Sequence, residues 1–264
     1  MDTSLRRADI RVAVQRDGYV RLSALSEHYG VSLVTIHRDL DFLASTGSIE
    51  RVRGGARRPQ VERHEIMSDY LLRRDQAVEQ KRQIAERALR EIQDGATVFF
   101  DSSTSVLALA LNLESIASRG ITVVTNSPSI AYRIHAPHAH VIVAPGELDQ
   151  SLRAITGRWT AEFLSTLTFT TAFVSAAGIT IEGGLMTAQR ELAEVTRSVF
   201  ARSERHVGLI DSSKFDTSGL ISMGGLDELD LVITDDDIDE STFGRYRAAG
   251  LPLIRASQAP EETS

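Results

Sequence analysis

Apolar residues recur along this chain with two periods, and the change from one to the other divides it. In residues 5–16, LRRADIRVAVQR, Leu5, Ala8, Ile10, Val12 and Ala13 fall near helical spacing, and Asp17-Gly18 ends the helix this predicts. A turn leads to a second helix in RLSALSEHYG, where Leu22, Leu25 and Tyr29 recur and Gly30 supplies a stop. Ser32 is placed to cap a third helix, LVTIHRDLDFL, whose inward stripe is Ile36, Leu40 and Leu43. Two helices joined through Gly30 and Val31 read as a helix-turn-helix. After Gly47, SIERVRGGARRP alternates apolar with charged residues and ends on Gly54-Gly55, which suits a short β-hairpin wing.

The pattern then changes. Pro59 to Asp75 is polar and charged and reads as a linker, followed by a helix with Ile84, Ala88 and Ile92 on one face, ended by Asp94-Gly95. Beyond it, ATVFFD, ITVVTN, HVIVAPG, TAFVSAAG, HVGLID, LDLVIT and LPLIRA are each of strand length and apolar almost throughout. Continuous apolar runs alternating with helices predict a mostly parallel, Rossmann-like α/β sheet. The domains expected are 1–58 winged helix-turn-helix, 59–75 linker, 76–256 sheet domain and 257–264 tail.

Charge sharpens the division. The net charge is −7, yet residues 1–58 carry ten arginines against seven acidic residues, leaving 19 basic and 29 acidic residues in the rest. A basic head on an acidic body is what a modular DNA-binding regulator shows, although many enzymes carry uneven charge as well. With Ile36 and Leu40 inward, the third helix presents Leu33, Val34, Thr35, His37, Arg38 and Asp41 outward. Arg38 suits a guanine edge, Leu33 or Val34 a thymine methyl, and Ser32 and Thr35 suit phosphates. Asp39 and Asp41 are expected to pair with arginines, and Arg51, Arg53, Arg57 and Arg58 to contact phosphates.

In the body, chemistry gathers at the carboxyl ends of the predicted strands: Asp101 with Ser102, Ser103, Thr104 and Ser105; Asn126; Gly146; Gly178; Asp211 and Lys214. In an open parallel sheet these ends line one edge, where the next helices start with unsatisfied N–H groups, and phosphate is a natural guest. Taken singly, each loop is equally ordinary helix-cap and turn chemistry. No apolar run approaches membrane-span length, no signal-peptide core is present, and there is no cysteine, so a cytoplasmic protein with no membrane partner is expected. His135, His138 and His140 lie close together without metal-ligand spacing, so neither metal nor cofactor is expected.

The run GYVRLSALSEHYGVSLVTIHRDLDFLASTGSIERVRGGA resembles the DNA-binding segment of the DeoR family of regulators. KRQIAERA, DGATVFFDSSTS, ITVVTNS, residues 145–148, Gly157, TAFVSAAGI and DSSKF resemble its sensor domain. That resemblance implies a sheet domain related to ribose-5-phosphate isomerase and glucosamine-6-phosphate deaminase. It also implies a phosphorylated sugar or related metabolite as effector, binding of which weakens the hold on DNA, and repression of a carbohydrate-metabolism operon. The chain departs from the family pattern at His37, usually arginine; at Ser103 and Pro145, usually glycines; and at Thr196, commonly lysine. One small head per chain buries too little surface for tight specific binding, so a dimer or tetramer is expected. The alternative is a sugar-phosphate isomerase or deaminase carrying a DNA-binding module. No convincing acid–base pair stands out for it, since Asp101 and Asp211 are equally placed to cap their own loops.

Overall fold

The computed structural model describes residues 3–45, 48–57, 70–135 and 139–258, and the chain divides into two compact units, Met1–Arg63 and His64–Ser264.

The first unit runs α1 (Thr3–Asp17), β1 (Tyr19–Arg21), α2 (Leu22–Tyr29), α3 (Leu33–Ser45), β2 (Glu50–Val52) and β3 (Gly55–Arg57). Its core is Ile10, Val14, Leu25, Ile36, Leu40, Leu43, Ile49 and Ala56, so the inward stripe expected of α3 is the one observed. Gly30 ends α2 at φ 61°, and Ser32 Oγ accepts from Thr35 N at 3.2 Å at the start of α3. Two expectations change. The buried face of α1 is Arg6, Ile10 and Val14, four residues apart, while Val12 is 59% exposed, because a partnered Arg6 substitutes for an apolar residue on the stripe. The stretch before α2 is a strand as well as a turn: β1 pairs antiparallel with β3, giving a sheet ordered β1-β3-β2. Gly55 permits that pairing, since a Cβ there would stand 2.0 Å from the Val20 carbonyl oxygen.

The second unit opens with α4 (Tyr70–Asp75) and α5 (Val78–Ala88), the latter closing in a single 3₁₀ turn at Leu89–Glu91. The 59–75 stretch is therefore partly helical: Tyr70 is buried at 3% exposure and anchors α4 to the core, while residues 58–69 lie outside those described. The seven apolar runs become β4 (Thr97–Phe100), β5 (Thr122–Thr125), β6 (His140–Val143), β9 (Thr171–Val174), β12 (His206–Leu209), β14 (Leu231–Thr234) and β15 (Leu253–Arg255). They form one sheet in the order β15-β14-β12-β9-β4-β5-β6, parallel at every pairing. Between them run α6 (Thr104–Leu111), α7 (Pro128–Arg133), α8 (Arg158–Ser165), α9 (Arg190–Phe200) and α10 (Glu240–Ala248). Strand side chains alternate between two apolar clusters: Val98 and Phe100 pack with Ile84, Val106 and Leu109, while Phe99 packs with Val199 and Phe200. Both faces of the five inner strands are covered, which is why they read as continuous apolar runs, while the edge strands β6 and β15 are less buried.

Two small antiparallel sheets were not anticipated: β7 (Glu147–Asp149) with β8 (Ala154–Thr156), and β10 (Gly178–Thr180), β11 (Gly184–Thr187) and β13 (Ile221–Gly224) in the order β10-β11-β13. Their strands are three or four residues long, too short to establish an alternation. From β4 the chain winds one way to β5 and β6, then returns beside β4 as β9 and winds the other way. Strand order thus reverses at β4 and β9, where their carboxyl ends leave a crevice.

Candidate functional site

In the first unit α3 keeps its outward face. Leu33 and Val34 are 49% and 61% exposed, and His37 and Arg38 are exposed beside them. Ser32 Oγ and Thr35 Oγ1 lie 3.0 Å apart at the start of the helix, so both hydroxyls stand near its first N–H groups. Asp39 is buried and receives Arg6 Nε at 2.7 Å and Arg7 Nε at 2.8 Å; burial would raise its pKa, but the two guanidiniums hold it below the usual carboxylate value. Its role is to tie α1 to α3. On the wing, Arg57 donates to both oxygens of Glu50 at 2.7 and 3.0 Å, and Arg51 donates to Asp41 at 2.5 Å. Arg53 is exposed at the hairpin turn, and Arg58 lies outside the described residues.

In the second unit a cavity of about 220 Å³ lies at the carboxyl ends of β4, β9 and β12. Of the residues expected there, Asp101, Ser102, Ser103, Thr104, Asn126, Asp211 and Lys214 line it. Ser105, Gly146 and Gly178 are not among the lining residues. Ser105 is fully buried, with its hydroxyl 3.5 Å from that of Ser175. The two glycines serve packing: a Cβ on either would stand 2.0 Å from a neighbour, Thr160 Oγ1 for Gly146 and the Thr217 carbonyl for Gly178.

Asp101 staples the reversal point. Its Oδ1 accepts from Ser103 N at 2.8 Å and its Oδ2 from Ser175 N at 2.7 Å, joining the ends of β4 and β9. Burial raises its pKa, and the hydrogen bonds oppose that rise. Ser103 caps α6 by accepting from Val106 N at 3.1 Å, so this helix starts at the cavity wall. Asn126 donates through Nδ2 to the Ile155 carbonyl at 3.0 Å, which leaves its buried Oδ1 without a partner.

Sequence reasoning missed further lining residues, Arg73, Gln76, Ala77 and Lys81 with Ser175 and Gln189; Thr196, noted as a departure from the family pattern, lines the cavity too. Ala77 sits at φ 48°, a left-handed turn between α4 and α5, and there the carbonyls of Arg73 and Gln76 both receive Lys81 Nζ, the latter at 2.6 Å. Burial, with the charge of Lys214 next in weight, lowers the Lys81 pKa to about 8. Lys214 donates to Ser175 Oγ at 2.8 Å and lies 3.5 Å from Asp211; burial lowers its pKa as well, against the pull of Asp211. For Asp211, burial acts upward, but Lys214 and Ser213 carry its pKa below the usual value. One signal for Lys81 was legible: of the 29 lysines and arginines in the chain only two are lysines, Lys81 and Lys214, and both line this cavity.

Chemically, the cavity offers cations and hydroxyls to an anion, and carboxamide and carboxylate oxygens to hydroxyl groups. The apolar part of its wall comes from Leu152, Ala176, Leu192, Val195 and Met223. It is smaller than ligand pockets of roughly 300–1,000 Å³, a size for a metabolite rather than a polymer. Among the described residues no group of three or more His, Cys, Asp or Glu is placed to hold a metal, and no helix is long and apolar enough to cross a membrane. His138 lies outside those residues.

Residues 6–62 match the DeoR-like helix-turn-helix domain, and residues 76–236 match the DeoR C terminal sensor domain. The chain is 30% identical over 236 residues to the glycerol-3-phosphate regulon repressor of Escherichia coli strain K12, with 89% of this chain and 92% of that one aligned. It is 32% identical over 235 residues to the lactose phosphotransferase system repressor of Staphylococcus epidermidis, with coverage of 88% and 92%. Among solved structures, ribose 5 phosphate isomerase A from Neisseria gonorrhoeae aligns at 15% identity with a TM-score of 0.36, over 52% of this chain and 53% of that one.

Proposed function

The chain belongs to the DeoR family of helix-turn-helix regulators, and from that premise we propose that it represses genes of carbohydrate metabolism. Its first unit holds operator DNA, and a phosphorylated sugar or related metabolite in the cavity of its second unit releases it. One observation carries the effector half of this reading: the only two lysines of the chain face one small cavity at the point where strand order reverses.

A phosphate suits that place for three reasons. It brings negative charge to two lysines whose mutual repulsion it relieves. It meets the first N–H groups of α6 and the hydroxyls of Ser102, Ser103 and Thr104. The carbon chain behind it finds the unpaired Asn126 Oδ1 and the Asp211 carboxylate for its hydroxyls. For the DNA half, Ser32, Leu33, Val34, Thr35, His37 and Arg38 form the face offered to the major groove, and Arg53 reaches phosphates from the wing. The chain works as a homo-oligomer, a dimer or tetramer, whose rearrangement on effector binding alters the spacing of its heads over two half-sites. Both relatives named above are repressors rather than isomerases or deaminases, so the enzyme alternative is set aside.

Fluorescence anisotropy on DNA from the region upstream of the chain's own gene, at two salt concentrations and with a panel of sugar phosphates, tests the proposal. Tight, salt-sensitive binding reversed by one phosphorylated compound is expected. No preference over random DNA would overturn it.

A further inference from the structure

His37 stands on the outward face of α3, one turn before Asp41, and the two are bridged by a side chain from the wing. Arg51 on β2 places Nη1 2.5 Å from Asp41 Oδ1 and 3.2 Å from the His37 carbonyl, and Nη2 2.8 Å from His37 Nδ1. Its Nε is buried without a partner, so the guanidinium is held by its two terminal nitrogens. A guanidinium has only donors and does not lose its proton. The ring nitrogen facing it must therefore be the acceptor, which makes His37 a neutral imidazole with its single proton on Nε2.

From this we infer that Arg51 is a positioning residue for base recognition: it fixes the rotamer and tautomer of His37, so that α3 presents one outward N–H donor at that position. This rests on the reading of α3 as the DNA-facing helix. A single donor pairs with the acceptors of the major groove, guanine N7 and O6, adenine N7 or thymine O4, and finds no partner in the amino group of cytosine. An arginine at position 37 could not take this place, because it has no acceptor for Arg51 and would set two guanidiniums face to face. With its charge matched by Asp41, Arg51 is also a poor counter-ion for a phosphate.

The test is selection from randomised duplexes by the full-length protein, with a salt titration of affinity, for the unaltered chain and for Arg51→Gln, His37→Ala and Asp41→Asn. The expected result is that Arg51→Gln loses preference, roughly three- to tenfold, at the same base pair that His37→Ala loses, with the salt slope unchanged. Asp41 is 68% exposed, so Asp41→Asn leaves the fold intact and widens choice at that same pair even if Arg51→Gln fails to fold. Imidazole ¹⁵N spectra should show the Nε2–H form in the unaltered chain and a tautomer mixture in Arg51→Gln, a signature that lost packing alone does not produce. A salt slope reduced by about one with base preference intact would make Arg51 a phosphate contact and overturn the inference. Enrichment of no sequence by the unaltered chain would instead overturn the DNA reading on which it rests.

Discussion

The two units use positive charge in opposite ways. In the first, every cation is an arginine; Arg38 and Arg53 stand exposed, while Arg6, Arg7, Arg51 and Arg57 are matched to Asp39, Asp41 and Glu50. In the second, the cavity holds both lysines of the chain, largely buried, with their pKa values pulled down. Arginine is always charged and presents a rigid fork to a base edge or a carboxylate, so it suits a surface that binds DNA and must stay ordered without it. Lysine is a compact point charge whose proton is negotiable in a buried place. On the proposed function, the difference separates a surface that holds a permanent polyanion from a cavity that gains and loses a small one.

The largest effect that tests this contrast is on the cavity. Lys214→Ala should weaken response to the effector roughly 10- to 100-fold while leaving operator affinity without effector unchanged, since a charge-assisted hydrogen bond contributes about 1.5–3 kcal/mol. Anisotropy with and without effector checks it, with thermal unfolding run alongside because Asp211 loses its buried partner. A reciprocal exchange sharpens the comparison. Lys81→Arg retains charge but not the compact ammonium held by two carbonyls, so effector affinity should fall about tenfold. Arg38→Lys retains charge but not the fork, so operator discrimination should fall by a similar factor while binding to random DNA persists.

A smaller effect is on pH. Lys81 has a lowered pKa, so in the free protein it is charged below about pH 8 and neutral above it. An anion favours the charged form, so binding above pH 8 must first take up a proton. Effector affinity should therefore be highest below pH 8 and drop several-fold by pH 9, and Lys81→Met should flatten that profile in calorimetric titrations. The smallest effect belongs to the wing: Arg57→Gln breaks a pair with Glu50 that is more than one-third exposed, and thermal unfolding should show little or no change in midpoint.

Much of this contrast was legible in the sequence, for physical reasons that also mark where it ceased to be. The five inner strands could be read because a strand buried on both faces must be apolar throughout, and the edge strands β6 and β15 because their runs are apolar although they are less buried. The helix pair in the head could be read because Gly30 and Ser32 do the same local work in any context. β1 could not, because Tyr19, Val20 and Arg21 gain strand character only from β3, which lies far along the chain. Gly146 and Gly178 sit at strand ends, as expected of cavity residues, but the contacts that require a glycine there come from Thr160 and Thr217, which no local pattern reveals. Lys81 was passed over because a lysine on an amphipathic helix is ordinarily solvated, and only the left-handed turn at Ala77 brings carbonyls over it.

Under the proposed function, operator and effector are coupled through one conformational equilibrium, which thermodynamic linkage makes measurable. Whatever factor the effector takes from operator affinity, the operator must take from effector affinity, typically 5- to 150-fold. The measurement is the affinity of the effector for the free protein and for the protein saturated with operator DNA. Binding to the DNA-bound form should be weaker by the same factor by which effector weakens the DNA complex; equal affinity in the two forms would overturn the coupling.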